Sequence, residues 1–591
     1  MRPALSWAAA GALAIAVLPG CGCGEKGEGP CPERGVECCI DDNDCYDPGL
    51  EYMECCLVTH ECIELPDETE ELDEGCDPGY ACDSLSDIQL VQGESEEEGC
   101  YADWSCCSPR DPLPMGKIGT YSSMGIAGDG TVWLSGYAAG VTETQLYGDL
   151  VAGTWDEVAG EPDWVLLDGV PWEAEPYAPP DGWRGGINEP GDDVGLYTGL
   201  VLDAAGEPRI AYHDHTNGDL KYIAMGGGTW GEPVVVDSDG VAGTYAAMVL
   251  LGEVPAIAYR ADTVRMEDVT GATHQVGTVV SSLRWAVAGD ASASTWTVEE
   301  VTSADTPCWG TICPADYRCR IQDGLCWRED LESAGCQDTT GAFECTSDEA
   351  CLQQIDEAGT PLATWGCVEA VPAEPVFDLP EGIALWNALA LSPGGNPEVV
   401  FYDRTLGDLV WVASDGSSWS APVTLDGGDL DPDPALHGDR GWNPSLAIDS
   451  TGVRHVSYVD GLAETLDYLS VDPSGAVLVR EVVDDGGTSG DLVGDYSAIV
   501  VDGSGRVRLA YENTSTGVVM MAVRDPSAGT WTPSVLTDPV AGFMGYYLNH
   551  LLVGETSWFS QFTYNYEMDP NYRGLRVFSC SVGSDGTATC G

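Results

Sequence analysis

Lysine is almost missing from this chain: three occur in 591 residues, at Lys26, Lys117 and Lys221. Basic side chains number 23 against 98 acids, for a formal net charge of -75. A surface of that sign repels phosphate backbones and anionic lipid, which excludes nucleic acid and bilayer surfaces as partners. After residue 21 no apolar run is long enough to span a bilayer as a helix. None of the 24 cysteines forms a C-x-x-C pair, and the seven histidines are not spaced with cysteines as metal ligands are. The chain also lacks a Gly-x-Ser-x-Gly elbow, a phosphate-binding loop and a His-Glu-x-x-His segment, so three common catalytic classes fall away. Asp429-x-Asp431-x-Asp433 opens like a calcium loop, but Pro434 stands where glycine is required and Arg440 where the closing glutamate belongs. The expectation is a protein without a cofactor, its acidic loops holding divalent cations weakly at most.

What is present begins with a processing signal. Arg2 precedes an apolar stretch from Ala8 to Val17, too short to cross a bilayer, and Leu18-Pro19-Gly20-Cys21 follows. Leu-x-Gly-Cys at this place resembles the bacterial lipobox. That resemblance implies cleavage before Cys21, a lipid on its sulfur and a place on the outer membrane of a bacterial cell envelope, on the extracytoplasmic side. Ordinary secretion with Cys21 in a disulfide is the competing reading.

Cysteine counts agree with export. Twelve lie between Cys31 and Cys107, eight between Cys308 and Cys367, and the last two are Cys580 and Cys590. Each group is even, as closed disulfide sets require. Cys580 and Cys590 flank a "GSDG" turn and are expected to bond across a terminal hairpin. The chain divides into a signal segment (1–21), an acidic cysteine-rich module or stalk (22–111), and a long body (112–591) interrupted by a cysteine-rich insert (303–375).

The body repeats itself. "SMGIAGDGTVWLSGYA" from Ser123, "GLVLDAAGEPRIAYHD" from Gly199 and "SAIVVDGSGRVRLAYEN" from Ser497 share one pattern: apolar strand, glycine turn, second strand ending near an aromatic. Seven copies of a four-strand unit predict an all-β fold, a seven-bladed β-propeller with a small disulfide-rich N-terminal module and a disulfide-rich insert. Two excursions, Glu161 to Asp193 and the insert, fall between a fourth strand and the next first strand. With the N-terminal module they are expected to crowd one mouth of the channel, where loops commonly carry function.

Two sets of residues are candidates for ligand contact. An aromatic residue stands just before each first strand: Tyr121, Tyr197, Tyr245, Trp386, Trp442, Tyr496 and Tyr547. Such rings either wedge the blades together or offer stacking platforms for sugars. The second strands end in polar groups, namely His213 and Asp214, Arg260 and Asp262, Asp403 and Arg404, Asp460, Glu512 with Asn513, and Asn565. They make turn hydrogen bonds or converge on a polar ligand.

The repeated G-x-P-x-I-A-Y-x-D, with Gly-x-x-Trp downstream, resembles the blades of sialidase-like, BNR-type propellers over roughly residues 112 to 591, the insert excluded. The resemblance implies the fold. The family's Asp-box is not matched, since "SDGSSW" (Ser414 to Trp419) is two residues short, and "PRIAY" (Pro208 to Tyr212) only partly follows its arginine entry motif. The expected function is recognition of a glycan or surface protein by a monomer tethered through its lipid. The alternative is a glycan-active hydrolase or lyase built on two carboxyls, one kept protonated.

Overall fold

A computed structural model of the chain describes residues 53–56, 61–64, 118–141, 146–171, 183–187, 189–310, 313–330, 334–342, 344–371, 380–427, 439–537, 543–564 and 574–590. The signal segment, Cys21, Asn565 and the Asp429–Asp433 run lie outside these residues. Two compact units are distinguished, one of them comprising residues 10–115 and 171–189. Within that unit a short antiparallel hairpin, Met53–Cys56 with Glu61–Glu64, sets Cys55 opposite Cys62.

The other unit is an all-β propeller. Its first sheet runs Ile118–Ile126, Val132–Val141, Leu146–Asp156 and Glu161–Asp168, each strand antiparallel to the next. Further sheets begin at Val194, Val241, Leu385, Arg440, Val493 and Phe543. The expectation of seven equivalent copies needs correction. Five sheets are plain four-stranded meanders. In the second, the outer edge is broken into Thr229–Trp230 and Val234–Asp237, both pairing with Asp219–Gly226. The third grows to eight strands. Its middle strands, Val254–Asp268 and Gln275–Ala288, run far past the usual length, and the insert hairpin joins them through Val276↔Trp327 and Gly277↔Cys326.

The predicted boundaries shift for the same reason. Glu161–Asp168 is the fourth strand of the first sheet, not part of an excursion, and the third sheet's fourth strand continues to Thr306 before the insert begins. Both segments carry apolar residues that complete a blade edge. The insert is stapled by Cys308–Cys319, Cys313–Cys326, Cys336–Cys351 and Cys345–Cys367, two sets with one interlocked pattern. The close approach of these sulfurs is explained by the bonds themselves rather than by a metal.

The core is a series of wedges between successive sheets, not one central mass. Val400, Leu409 and Trp411 of the fourth sheet pack on Leu446, Val456 and Tyr458 of the fifth. Leu575 of the last sheet packs on Met124, Val132 and Leu134 of the first, which closes the ring. Asn549 adds a hydrogen bond to the Ser122 carbonyl across this seam (3.0 Å), and a parallel bridge links Ile118 to Gly574.

A second repeated device ties neighbours together. The tyrosine of the A-Y-x-D pattern donates to an aspartate ending the preceding sheet's fourth strand: Tyr212 to Asp168, Tyr259 to Asp237 and Tyr511 to Asp484, each 2.7 Å, and Tyr458 to Asp426 at 2.5 Å. Charge-assisted bonds between buried groups are among the stronger hydrogen bonds, at about 1.5–3 kcal/mol each.

Cys580 and Cys590 form the expected disulfide and are directly opposite one another in the terminal hairpin. Among the described residues Ala588–Cys590 pairs only with Leu575–Val582, so the bond limits fraying of this edge strand. A Cys580→Ser, Cys590→Ser variant is expected to lose about 2–3 kcal/mol of stability, the loop-closure entropy of so short a ring. Calorimetry of the two proteins without reductant checks this.

Candidate active site at the propeller axis

The candidate site starts from a kink in each first strand. In six sheets an aromatic residue with φ near +50° sits two positions after a residue of positive φ: Gly119 and Tyr121, Gly195 and Tyr197, Gly243 and Tyr245, Ala384 and Trp386, Gly494 and Tyr496, Gly545 and Tyr547. Pairing with the second strand slips on both sides of the kink, as at Ile118/Thr120 and Thr120/Ser123. Ala384 takes this place in the fourth sheet, but at other seams contact as well as conformation favours glycine. A Cβ on Gly494 would lie 2.9 Å from Leu466 of the preceding sheet, and one on Gly195 only 2.8 Å from the Leu150 backbone. The kink turns the aromatic side chain inward.

The inward rings touch one another. Tyr121 contacts Tyr197 (centroids 4.7 Å apart) and Tyr547 (4.8 Å), Tyr197 contacts Tyr245 (4.7 Å), Tyr245 contacts Trp386 (5.9 Å), and Tyr496 contacts Tyr547 (5.2 Å). Trp442 departs from the expected equivalence. Gly441 has the strained φ, Asn443 takes the position with φ +45°, and Trp442 lies between them, opposite Val459. Its ring still meets Trp386 at 5.4 Å and Tyr402 at 5.8 Å. All seven aromatics are half-buried, and most of the contacts are tilted or edge-to-face. Burial raises the hydroxyl pKa of Tyr121, Tyr197, Tyr496 and Tyr547 and pushes Tyr245 to about 12, so the girdle is uncharged at neutral pH.

The register of the kink defines one cross-strand pair per sheet. The residue just before the inward position faces Tyr137, His213, Arg260, Tyr402, Val459, Glu512 or Phe562 in turn. Its own identities are Thr120, Leu196, Thr244, Leu385, Trp442, Asp495 and Tyr546. Only the sixth sheet places ionisable side chains on both strands, Asp495 opposite Glu512. Glu512 is fully buried, and neither carboxyl oxygen has a hydrogen-bond partner among the described residues. Desolvation holds its pKa well above the usual carboxylate range, and the facing Asp495 adds to this. Burial also raises Asp495, which is itself half-buried.

The next sheet's kink glycine, Gly545, leaves room for this glutamate. A Cβ there would stand 3.0 Å from the Glu512 Cβ, where other seams present a leucine to the glycine. Tyr496, adjacent to Asp495 in the girdle, has its own hydroxyl pKa raised by burial first and then by Asp495 and Glu512 among its charged neighbours. The two carboxyls are not hydrogen-bonded to each other: Asp495, paired with Glu512 between two register shifts, interacts instead with the Thr514 side chain, which offsets part of the effect of burial.

The other candidates have local partners. His213 is buried with Nδ1 2.7 Å from the Ala242 carbonyl oxygen, and burial pushes its pKa down to about 4, leaving a neutral ring. Asp214 accepts hydrogen bonds from the Asn217 backbone (2.9 Å) and is ion-paired with Lys221 (2.9 Å). Arg260, fully buried, clasps Asp262 (2.8 and 3.0 Å) and donates to the Ile383 and Glu381 carbonyls. Asp403 and Asp460 accept from the backbone N–H groups of Leu406 (3.2 Å) and Ala463 (2.8 Å), closing the turns that follow them, and Asn513 does the same for Thr516 (3.0 Å). Arg404 lies 3.5 Å from Glu381. These groups serve separate turns and seams, while Glu512 meets Asp495, which sequence reading left out. The signal was available: aligning "GDY" (Gly494 to Tyr496) with "GTY" and "GLY" sets an acid into a position otherwise neutral.

No protein-family model matches the chain, and no curated protein matches it. Solved structures with similar folds include a puromycin-hydrolyzing peptidase of Mycobacterium tuberculosis (12% identity, 82% of this chain and 54% of that one, TM-score 0.38). The chain thus spans about half the length of that peptidase. Others are the polysaccharide lyase Uly1 (10% identity, 80% and 91%, TM-score 0.38) and an intramolecular trans-sialidase from Ruminococcus gnavus (12% identity, 79% and 93%, TM-score 0.31).

Proposed function

We propose that the protein is a glycan-active enzyme, a hydrolase or lyase, whose reaction uses Asp495 with Glu512 behind it. The observation that carries this reading is the buried, unpartnered Glu512 carboxyl facing Asp495 beside the axial girdle. An unsatisfied buried carboxyl costs about 1–3 kcal/mol or more, and a fold that keeps one at a single seam keeps it for use. Asp495 is the group that reaches solvent and meets substrate. Glu512, kept protonated by burial, is a positioning residue behind it. In hydrolysis a proton passes from Asp495 to the leaving glycosidic oxygen as the bond breaks, and a water donates its hydroxyl to the sugar and its proton back to Asp495. A screen of purified protein against oligosaccharides tests the reading: product release that disappears in Asp495→Asn supports it, and no release from any glycan overturns it.

A second reading, recognition without turnover, is favoured by the aromatic girdle, whose indoles at Trp386 and Trp442 retain partial exposure. It is supported by glycan binding that falls at least about tenfold in folded Trp386→Ala and Trp442→Ala proteins while no product forms.

We further propose a lipid on Cys21 that tethers the protein to the outside of a bacterial membrane. Growth with an acyl probe is expected to label the wild type and leave Cys21→Ala unlabelled. An unlabelled wild type means ordinary secretion.

A further inference from the structure

We infer that the aromatic girdle is opened at one place for a ligand: Asn443, at the seam of the fifth and sixth sheets, is a specificity-determining contact that receives one uncharged, hydroxyl-bearing sugar ring beside Asp495. This rests on the glycan reading above and adds where the bound ring sits.

Ring contacts run without a break from Tyr496, through Tyr547 and Tyr121, round to Trp386 and Trp442. Among the described residues no ring contact joins Trp442 back to Tyr496. The reason is Asn443, which has φ +45° and holds the inward position that an aromatic residue takes in the other six sheets. A shared bond fixes this equivalence: Ser497 Oγ donates to the Asn443 carbonyl (3.3 Å), as Thr198 Oγ1 donates to the Tyr121 carbonyl (2.6 Å). The left-handed backbone does not by itself select asparagine, since five tyrosines and a tryptophan adopt it in this chain. Asn443 thus forgoes the ring contacts of its counterparts. A repeat that breaks its own rule with no gain in packing marks a functional position.

Three contacts meet at this opening. On one side is the half-buried Trp442, whose Nε1 donates to Asp439 (2.8 Å), a bond that fixes the indole plane. On the other is Asp495, which has the same place in the sixth sheet, just before the kink, that Trp442 has in the fifth. Between them is the Asn443 amide. Neighbouring amides are spent on the girdle itself: Asn387 donates to the Tyr245 carbonyl (3.2 Å), and Asn549 to those of Ser122 and Tyr547 (3.0 and 3.1 Å). Among the described residues the half-buried Asn443 amide bonds to no protein group, and it is not sealed from solvent as the Glu512 carboxyl is. An indole face suits the C–H face of a sugar ring, and an amide offers both a donor and an acceptor. A hydroxyl also does both, whereas a carboxylate only accepts and an ammonium only donates. That match selects an uncharged ring and places it in the same opening as Asp495.

The test uses the full-length protein and a panel of neutral oligomers (glucose, xylose, N-acetylglucosamine and others), with galacturonic acid oligomers as the charged set. Binding is followed by calorimetry and turnover by product release. The wild type is expected to act on a neutral set and to reject at least one monodeoxy analogue of that oligomer by about tenfold or more. Asn443→Ala removes the amide and leaves the opening. It is expected to weaken the parent oligomer at least about tenfold and to treat parent and deoxy analogue alike. Asn443→Tyr continues the girdle toward Tyr496 and is expected to abolish binding, with a melting temperature no lower than that of the wild type. Should the tyrosine variant misfold, the alanine variant and the analogue decide by themselves. An alanine variant that discriminates as the wild type does, a folded tyrosine variant that binds normally, or action on the galacturonic set alone overturns this inference and leaves the glycan reading standing. Neither binding nor cleavage of any glycan in the panel overturns the glycan reading, and this inference with it.

Discussion

Alanine at Tyr121 is expected to destabilise the propeller by about 3–5 kcal/mol, the cost of deleting a large packed ring. Tyr121 touches Tyr197 on one side, Tyr547 on the other, and Tyr137 of its own sheet edge-on at 6.2 Å. The first and last sheets are joined across this point by chain segments distant in sequence, so its removal acts on ring closure as well as on local packing. Tyr121→Phe keeps the ring and is expected to lose much less, only the hydroxyl's hydrogen bonds to Tyr547 and Tyr197. Chemical denaturation of wild type, Tyr121→Ala and Tyr121→Phe separates ring packing from hydroxyl contacts. An alanine variant as stable as wild type would show that the girdle is not what holds the sheets together.

Asp495→Asn is expected to lower turnover by about a hundredfold to ten-thousandfold, the usual contribution of a positioned acid or base. Its partner offers a test that does not depend on a known substrate. The folded-state pKa of Glu512 is raised above its unfolded value, so its contribution to stability is fully present below the unfolded pKa. That contribution is lost as pH rises through the folded pKa. Wild-type protein should accordingly lose stability toward alkaline pH more steeply than Glu512→Gln, with the two melting temperatures converging at low pH. The whole-chain repulsion of 98 acids is nearly common to both proteins and drops out of the comparison. Parallel melting curves from pH 4 to 9 would mean that Glu512 ionises as freely as an exposed glutamate, and the proposed proton-holding role would go with it.

Much of this molecule was readable without coordinates. The alternation of apolar residues, the glycine turns between first and second strands and the even cysteine groups are local properties, and a four-strand meander follows from local pairing alone. The terminal disulfide was legible for the same reason: Cys580 and Cys590 face each other across a tight turn, so short-range geometry fixes their approach. The acidic turn residues were legible too, since Asp403 and Asp460 satisfy backbone N–H groups only three residues away.

Other features depend on contacts between sheets, which no local pattern specifies. The tyrosine of A-Y-x-D has its partner on the preceding sheet, 44 residues back at Tyr212 and 27 at Tyr511, so its role emerges only when two blades are side by side. The third sheet's growth into the insert depends on how far its middle strands extend beyond the blade, and sequence spacing does not mark that extension. Trp442 seemed equivalent to the other girdle aromatics, yet Asn443 holds the inward kink, because register is decided by cross-strand pairing rather than by distance to a turn glycine. Composition and periodicity determined the class of fold, the repeat and the terminal disulfide. Tertiary structure alone decided that, of 98 acids, Asp495 and Glu512 stand opposed beside the axis, because burial and pairing depend on which backbone lies across the gap.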